Sequence, residues 1–354
     1  MRIGIIGGYG HESIKQLPGV KLAWACDDFD QQALVRAKAA GVGDTYLDMD
    51  SLMQDFSPDL IYIGSAYALN GALAVRALER GFDVVSEKPL AVDRAVFNDL
   101  CRLTASGERR LIGEFTMRWM EPFQRARKLI QSGAIGCPVM IQAQKTYKFG
   151  AHRPDFYKER RYFGGIIPWV GSHAIDFVAW CTGLRFESVI ATHGNRCFPE
   201  ISEMEDHAIM QFRMTGGVHC LITSDFLRPS GASSHSDDRL RVTGSEGVLE
   251  IRNQEVFLCD AHKEYHWLCD CELPTGGDLA KAIVTAAQGQ PHSEITTQEC
   301  LHVTAAAMAA RDAADHGGQL FEVPEIPSSK EHSVYPNSKP AAHQTVSAHR
   351  QSGL

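Results

Sequence analysis

The chain has 354 residues, more than one hydrophobic core usually organises, so two domains are expected. Its formal net charge of −8 and the lack of a basic run argue against nucleic acid as a partner. The sequence contains no apolar stretch of bilayer length, and an apolar strand from residue 1 leaves no room for a signal peptide, so a cytoplasmic protein without membrane contact is expected.

The first predicted element is an apolar strand at residues 2–6 that runs into a glycine-rich turn, Gly7, Gly8, Tyr9 and Gly10. A short helix is predicted next. Strand, glycine turn and helix together are typical of a dinucleotide-binding unit, because the backbone must turn tightly and approach a pyrophosphate. We therefore predict that these four residues bind a cofactor.

A second predicted strand at residues 20–26 ends in Asp27 and Asp28, about twenty residues after the glycines. A carboxylate at this position accepts hydrogen bonds from the adenosine ribose hydroxyls and repels a 2′-phosphate. The sequence therefore predicts that Asp27 selects NAD, with NADP the less favoured cofactor.

Strands and helices continue to alternate up to about residue 115, which indicates a parallel sheet covered on both faces. Lys88 follows directly after a Val-rich strand, and a charge there points to the ligand crevice of such a sheet. Ser65 and Glu87 stand after neighbouring strand ends and are also predicted to contact the cofactor. The further predicted helices cover residues 30–40, 69–80 and 92–103, and the strands cover 60–63, 82–86 and 111–115.

The pattern changes after residue 115, where a helix at 122–131 precedes a long strand at 139–148. Alternation places Val139, Ile141, Ala143, Lys145 and Tyr147 on one face of that strand. Further strands are predicted at 188–193, 206–213, 218–224, 239–243 and 248–252.

These patterns predict an α/β fold: a Rossmann domain with a doubly wound parallel sheet (1–118), followed by an α+β domain with a mostly antiparallel open sheet (119–327) and a flexible tail (328–354). Since one face of the second sheet would stay exposed, a homodimer or homotetramer is expected.

A second glycine turn, Gly164-Gly165, leads into a helix that carries His173 and Asp176 one turn apart. Histidine exchanges a proton near neutral pH, as hydride transfer from an alcohol requires. Another polar group, Cys259, His262, His266, Cys269 and Cys271, falls on a predicted hairpin that would scatter its side chains, so no metal site is predicted.

Glu87-Lys88-Pro89 and Gly171-x-His173-x-x-Asp176 together resemble motifs of the Gfo/Idh/MocA family of oxidoreductases. The resemblance covers residues 2–325 and implies catalytic roles for Lys88, beside the nicotinamide, and for His173, as acid or base. It implies a substrate contact or an orienting role for Asp176.

Three features depart from the family pattern. Trp169 stands where an Asp is usual, residues 65–70 lack the usual Asn and His, and Ser13 replaces the third glycine. Two alternatives to a dehydrogenase therefore stay open: an enzyme whose tightly bound NAD oxidises the substrate only transiently, as in epimerisation or glycoside cleavage, and a nucleotide-binding regulator without turnover.

The basic, aromatic segment 153–162 precedes the second glycine turn. It either closes over an anionic sugar or forms an ordinary solvated loop. The sequence thus predicts an NAD-dependent oxidoreductase acting on a CH–OH group of a sugar, polyol or sugar acid. The predicted substrate-binding residues are Arg118, Lys145, Tyr147, Arg160, Trp169 and Asp176.

Overall fold

The structure is a computed structural model that describes residues 1–8, 19–27, 29–30, 32–39, 41, 43–150, 153–260, 263–267, 280, 284–285 and 295–326. The predicted first helix, the predicted tail, Tyr9 and Gly10 lie outside these residues. So do His262, Cys269 and Cys271, three members of the Cys/His group, while Cys259 and His266 lie on two paired strands.

Six parallel strands form the first sheet, in the order β3-β2-β1-β4-β5-β6. Their apolar residues are buried, and all five residues of β4 are. The strand order reverses between β1 and β4, which creates the crevice where such sheets bind ligands. The predicted Rossmann sheet is therefore confirmed. Its strands are β1 (Arg2–Gly7), β2 (Lys21–Ala25), β3 (Asp44–Tyr46), β4 (Leu60–Gly64), β5 (Val84–Ser86) and β6 (Leu111–Gly113).

Helices connect and cover the strands, and the four described helices predicted at 30–40, 69–80, 92–103 and 122–131 have ends within three residues of the predicted ones. Asp93 caps α4 by accepting hydrogen bonds from two backbone N–H groups of its first turn. The described helices are α1 (Ala33–Ala39), α2 (Met49–Ser51), α3 (Asn70–Glu79), α4 (Arg94–Thr104), α5 (Glu121–Gln131), α6 (Arg160–Phe163), α7 (Ser172–Thr182) and α8 (Thr297–Asp315).

The second sheet has nine strands in the order β14-β13-β12-β11-β7-β10-β9-β8-β15. Only β7 and β10 pair in parallel, so the predicted, mostly antiparallel sheet is confirmed among the described strands. Its strands are β7 (Pro138–Tyr147), β8 (Phe186–Gly194), β9 (His207–Met214), β10 (Val218–Asp225), β11 (Ser236–Gly244), β12 (Gly247–Arg252), β13 (Glu255–Asp260), β14 (Lys263–Trp267) and β15 (Phe321–Glu322).

The predicted alternation on β7 holds at its centre, where Ile141, Ala143 and Lys145 are buried. Val139, near the first residue of the strand, is instead 54% exposed. Lys145 therefore faces the helices together with apolar neighbours, which is the orientation that a crevice side chain needs.

Helix α8 joins the two sheets, and the sequence analysis did not predict it. Thr297 and Cys300 accept hydrogen bonds from the backbone N–H groups of Leu111 and Gly113 in β6, and the helix also packs on β8. A Thr296/Glu299 capping box starts it, a signal that was present in the sequence. None of the described helices is long and apolar enough to cross a bilayer.

Candidate active site

The crevice begins at Gly7, the last residue of β1. Its φ of +87° suits glycine, and a Cβ atom there would lie 2.5 Å from the carbonyl oxygen of Gly64. Asp27, just after β2, is buried, and its Oδ1 accepts a hydrogen bond from the N–H of Phe29. Asp27 Oδ2 lies near Gly7 and has no partner among the described residues.

Asn70 links the ends of β4 and β5. Its Oδ1 accepts from the N–H of Ser65 at 3.0 Å, and its Nδ2 donates to the carbonyl of Glu87 at 3.1 Å. The Ser65 hydroxyl and Glu87 Oε2 are buried without partners in the described part of the chain. Burial raises the pKa of Glu87, while the charge of Lys88 opposes that shift. Unsatisfied polar atoms thus line this edge of the sheet.

The Lys88 side chain extends from the end of β5 to the segment that precedes α7. Its Nζ donates to the carbonyl oxygen of Trp169 at 3.2 Å and lies 2.7 Å from the centre of the Trp169 ring. The Trp169 ring stacks on Tyr67, with 3.3 Å between centroids. Burial is the main cause that lowers the pKa of Lys88 well below its ordinary value.

His173 lies in the first turn of α7 and is only 4% exposed. Its Nδ1 is buried, and no described residue provides it with a hydrogen-bond partner. Burial lowers the pKa of His173 well below 6.5, and the charges of Lys88 and Lys145 lower it further. The imidazole is therefore neutral at physiological pH and can accept a proton.

The second sheet contributes a row of three polar residues to the same region. Strand register aligns Lys145 of β7 with Ser224 of β10 and with Asp238 of β11. Lys145 Nζ forms a buried ion pair with Asp238 Oδ1 at 2.7 Å. The Ser224 hydroxyl is buried without a partner within the described ranges and lies near Gly171, at the start of α7.

The Tyr147 ring connects these groups to the loop that follows β7. His173 meets it edge to face, with 6.3 Å between ring centroids, and Lys145 Nζ lies 4.6 Å from its centre. The Arg153 guanidinium lies 5.3 Å from the ring centre, and the His235 ring 5.0 Å away. Lys88, Lys145, Tyr147, Trp169 and His173, all predicted from the sequence, thus meet in one region.

Arg118 and Asp176, both predicted to contact the substrate, lie together in a buried ion cluster. The Arg118 side chain is fully buried, forks onto Asp176 with a shortest contact of 2.6 Å, and donates through Nη1 to Glu299 at 2.9 Å. Both carboxylates raise the pKa of Arg118, while burial raises that of Asp176 to about 6. This sealed ion cluster joins α7 to α8, so its geometry does not support the prediction that Arg118 and Asp176 contact the substrate.

Arg160, also predicted to contact the substrate, lies in a network of ion pairs. It forms ion pairs with Glu205 and with Asp315, the latter at 2.9 Å, which tie α6 to α8 and to the loop before β9. Arg161 is an exposed partner of Glu159. Since acidic neighbours already neutralise both guanidinium groups, the structure does not support substrate recognition by Arg160.

The sequence analysis missed Tyr67, Asn70 and Ser224 as crevice residues. Tyr67 and Asn70 follow directly after β4, so their position at a strand end was the available signal. Ser224 could not be found, because its place beside Lys145 depends on the parallel pairing of β7 with β10. Asp238 lies in the polar stretch 235–239, whose sequence is compatible with a substrate rim or with a subunit contact and does not decide between them.

Two sequence models of one protein family match this chain. Residues 1–115 match the model described as "Oxidoreductase family, NAD-binding Rossmann fold", and residues 123–250 match the GFO/IDH/MocA C-terminal domain. The first match covers the described glycine turn and Lys88, and the second covers His173.

Individual proteins show the same similarity. Myo-inositol 2-dehydrogenase from Thermotoga maritima is 26% identical over 271 residues, 73% of this chain and 78% of that protein. An uncharacterized oxidoreductase from Schizosaccharomyces pombe is 24% identical over 203 residues, and the match spans just over half of its length, 55%. The solved structure of a putative oxidoreductase from Thermotoga maritima superposes with a TM-score of 0.83 and 31% identity, covering 91% of this chain and all of that one.

Proposed function

This chain belongs to the Gfo/Idh/MocA family of NAD-binding oxidoreductases, and on that premise we propose that it transfers a hydride between NAD and a CH–OH carbon of a polyol or sugar. The observation that carries the proposal is that Lys88, from the end of β5, donates to the carbonyl of Trp169, four residues before His173, and that its charge adds to burial in lowering the pKa of His173. The named activity of the Thermotoga inositol dehydrogenase favours a polyol-like substrate.

The crevice fits the cofactor. Gly7 leaves room for a close backbone approach, Asp27 Oδ2 offers an acceptor to a ribose hydroxyl, and the Ser65 hydroxyl is available at the next strand end, each without a competing partner among the described residues. When bound, NAD supplies the hydride acceptor. Gly7, Asp27, Ser65 and Glu87 are the described residues that would hold it.

His173 and Lys88 have different roles in the reaction. The neutral imidazole of His173 takes the hydroxyl proton of the substrate, which its depressed pKa permits at neutral pH. The Lys88 ammonium stabilises the negative charge that develops on the same oxygen. Trp169 supplies a carbonyl oxygen that holds Lys88 in place.

The test uses His173→Gln and Lys88→Met, each assayed with NAD and a panel of polyols and sugars. Because general acid or base catalysis contributes about 10²- to 10⁴-fold, each variant is expected to lose that factor in kcat while NADH affinity, measured by fluorescence titration, is retained. Arg102→Met is the control, since Arg102 lies on exposed helix surface. Full turnover by either folded variant would remove that residue from the mechanism.

We also propose that a second copy of the chain covers the open face of the nine-stranded sheet. Met140, Ile190, Ile209 and Leu221 share that face and are between 41% and 49% exposed. Light scattering should give a dimer or tetramer, and Leu221→Glu should shift it towards monomer. A monomeric parent protein at micromolar concentration would contradict the proposal.

A further inference from the structure

The crevice holds an arginine whose charge no described carboxylate neutralises. Arg153 donates through Nη1 to the Tyr157 hydroxyl at 3.0 Å and through Nη2 to the carbonyl of Lys148 at 3.1 Å. His235 Nε2 lies 3.1 Å from Nη2. Arg153 thus differs from Arg118, Arg160 and Arg161, which all have carboxylate partners.

Its surroundings place this charge beside the proposed reaction centre. The guanidinium lies 5.3 Å from the centres of the Tyr147, Tyr157 and Phe226 rings, and Tyr147 also contacts His173. Arg153 is half-buried, and the aromatic rings beside its guanidinium lower the local polarity, which strengthens any interaction with an anion. Burial is the main cause that lowers the pKa of Lys88, and the charge of Arg153 lowers it further.

The three basic side chains of this region differ in their counter-charges. Asp238 forms an ion pair with Lys145, and the charges of Glu87 and Glu114 act on Lys88. Arg153 makes its hydrogen bonds to a tyrosine hydroxyl, a backbone carbonyl and a histidine, and has no carboxylate partner among the described residues. A negative charge on the ligand would supply that partner.

Two hydrogen-bond donors of this region are also unsatisfied. Arg153 Nε and Trp169 Nε1 are buried N–H groups that find no acceptor in the described part of the molecule. A hydroxyl group brings one donor for every pair of acceptor lone pairs, whereas a carboxylate brings acceptors alone. The planar fork of arginine also matches a carboxylate better than the single ammonium of lysine does.

We propose that the substrate is a hydroxy acid of the polyol or sugar type, and that Arg153 binds its carboxylate while Lys88 and His173 act on a CH–OH group. This inference rests on the proposed function. It assigns to Arg153 alone the recognition that the sequence suggested for the whole segment 153–162.

The test compares pairs of compounds that differ only in CH₂OH against carboxylate, namely glucose with glucuronate and galactose with galacturonate. The acid should show the higher kcat/KM, and Arg153→Gln should reduce its advantage roughly ten- to hundredfold, mainly through KM, as expected for the loss of a charged hydrogen bond. Arg153→Lys should give an intermediate loss. Arg161→Gln removes the same charge from an exposed ion pair and should leave both compounds unaffected.

Binding of each compound to the protein saturated with NADH, measured by calorimetry, separates this inference from the proposed function. Turnover of the neutral sugars with no preference for the acids would overturn the carboxylate site and leave the oxidoreductase standing. If Arg153→Gln lowered kcat/KM equally for the acid and the neutral sugar, Arg153 would have only a structural role. Acid binding that depends on Arg153 without any turnover would support the site and contradict the proposed function, while absence of acid binding would overturn the site.

Discussion

Helix α7 carries two polar side chains one turn apart that have opposite environments. Asp176 is fully buried, and Arg118 donates to both of its oxygens. His173 is almost as deeply buried, yet its Nδ1 has no partner among the described residues. Position on the helix and burial do not distinguish the two residues, whereas satisfaction of their polar atoms does.

This difference distinguishes buried polar groups that stabilise the fold from buried polar groups that bind a ligand. A buried donor or acceptor without a partner costs about 1 to 3 kcal/mol, so folding alone would favour a paired group. The ion cluster at Asp176 meets this requirement and ties α7 to α8 through Glu299. His173, Ser65 and Asp27 each have a buried polar atom without a partner among the described residues. We expect this of atoms that form their hydrogen bonds with a ligand.

The largest expected effect is the loss of the ion cluster. Arg118→Met leaves the carboxylates of Asp176 and Glu299 buried without their counter-charge, so we expect the free energy of unfolding to fall by about 3 to 5 kcal/mol, measured by urea denaturation. His173→Gln removes no intramolecular hydrogen bond of Nδ1 and should change stability by less than about 1 kcal/mol.

Arg102→Met is the matched control for Arg118, because Arg102 forms an exposed ion pair with Asp99. Its free energy of unfolding should stay within about 0.5 kcal/mol of that of the parent protein. If Arg118→Met were as stable as this control, the cluster would not hold the fold together, and the contrast with His173 would lose its basis.

The sequence was sufficient for those parts of the molecule whose geometry follows from local order along the chain. Strand ends of a parallel sheet meet at one edge, so the positions of Lys88 and Asp27 followed from the alternation of strands and helices. Arg118 and Ser224 depend on pairings between distant elements, α7 with α8 and β7 with β10, which no local pattern encodes. Arg118 was predicted to bind the substrate, and its two carboxylate partners became visible only in the structure.

Asp27 offers a smaller test of the same contrast, because its two carboxylate oxygens differ. Oδ1 accepts a hydrogen bond from the N–H of Phe29, whereas Oδ2 has no partner within the described residues. Asp27→Asn keeps the size of the side chain but removes its charge. A hydrogen bond to a charged group is worth about 1.5 to 3 kcal/mol, so NADH affinity should fall roughly ten- to hundredfold, by calorimetry.

The preference for NADH over NADPH should shrink in the same Asp27 variant, since the charge that repels a 2′-phosphate is lost. Asp44→Asn serves as the control, because Asp44 pairs with Lys21 at the surface. Tighter binding of NADP than of NAD by the parent protein would contradict the assignment of Asp27 as the ribose contact.

The smallest expected effect is a shift of the pH profile. Neutral His173 is the proton acceptor in alcohol oxidation, so kcat should fall as pH decreases through its pKa, which burial and the charges of Lys88 and Lys145 hold well below 6.5. Lys145→Met removes one of those charges and leaves Asp238 without its partner. Both changes favour the imidazolium, so the acid limb should move to higher pH. Lys21→Met, an exposed substitution, should leave that limb in place. An acid limb that does not move in Lys145→Met would mean that the group titrating there is not His173.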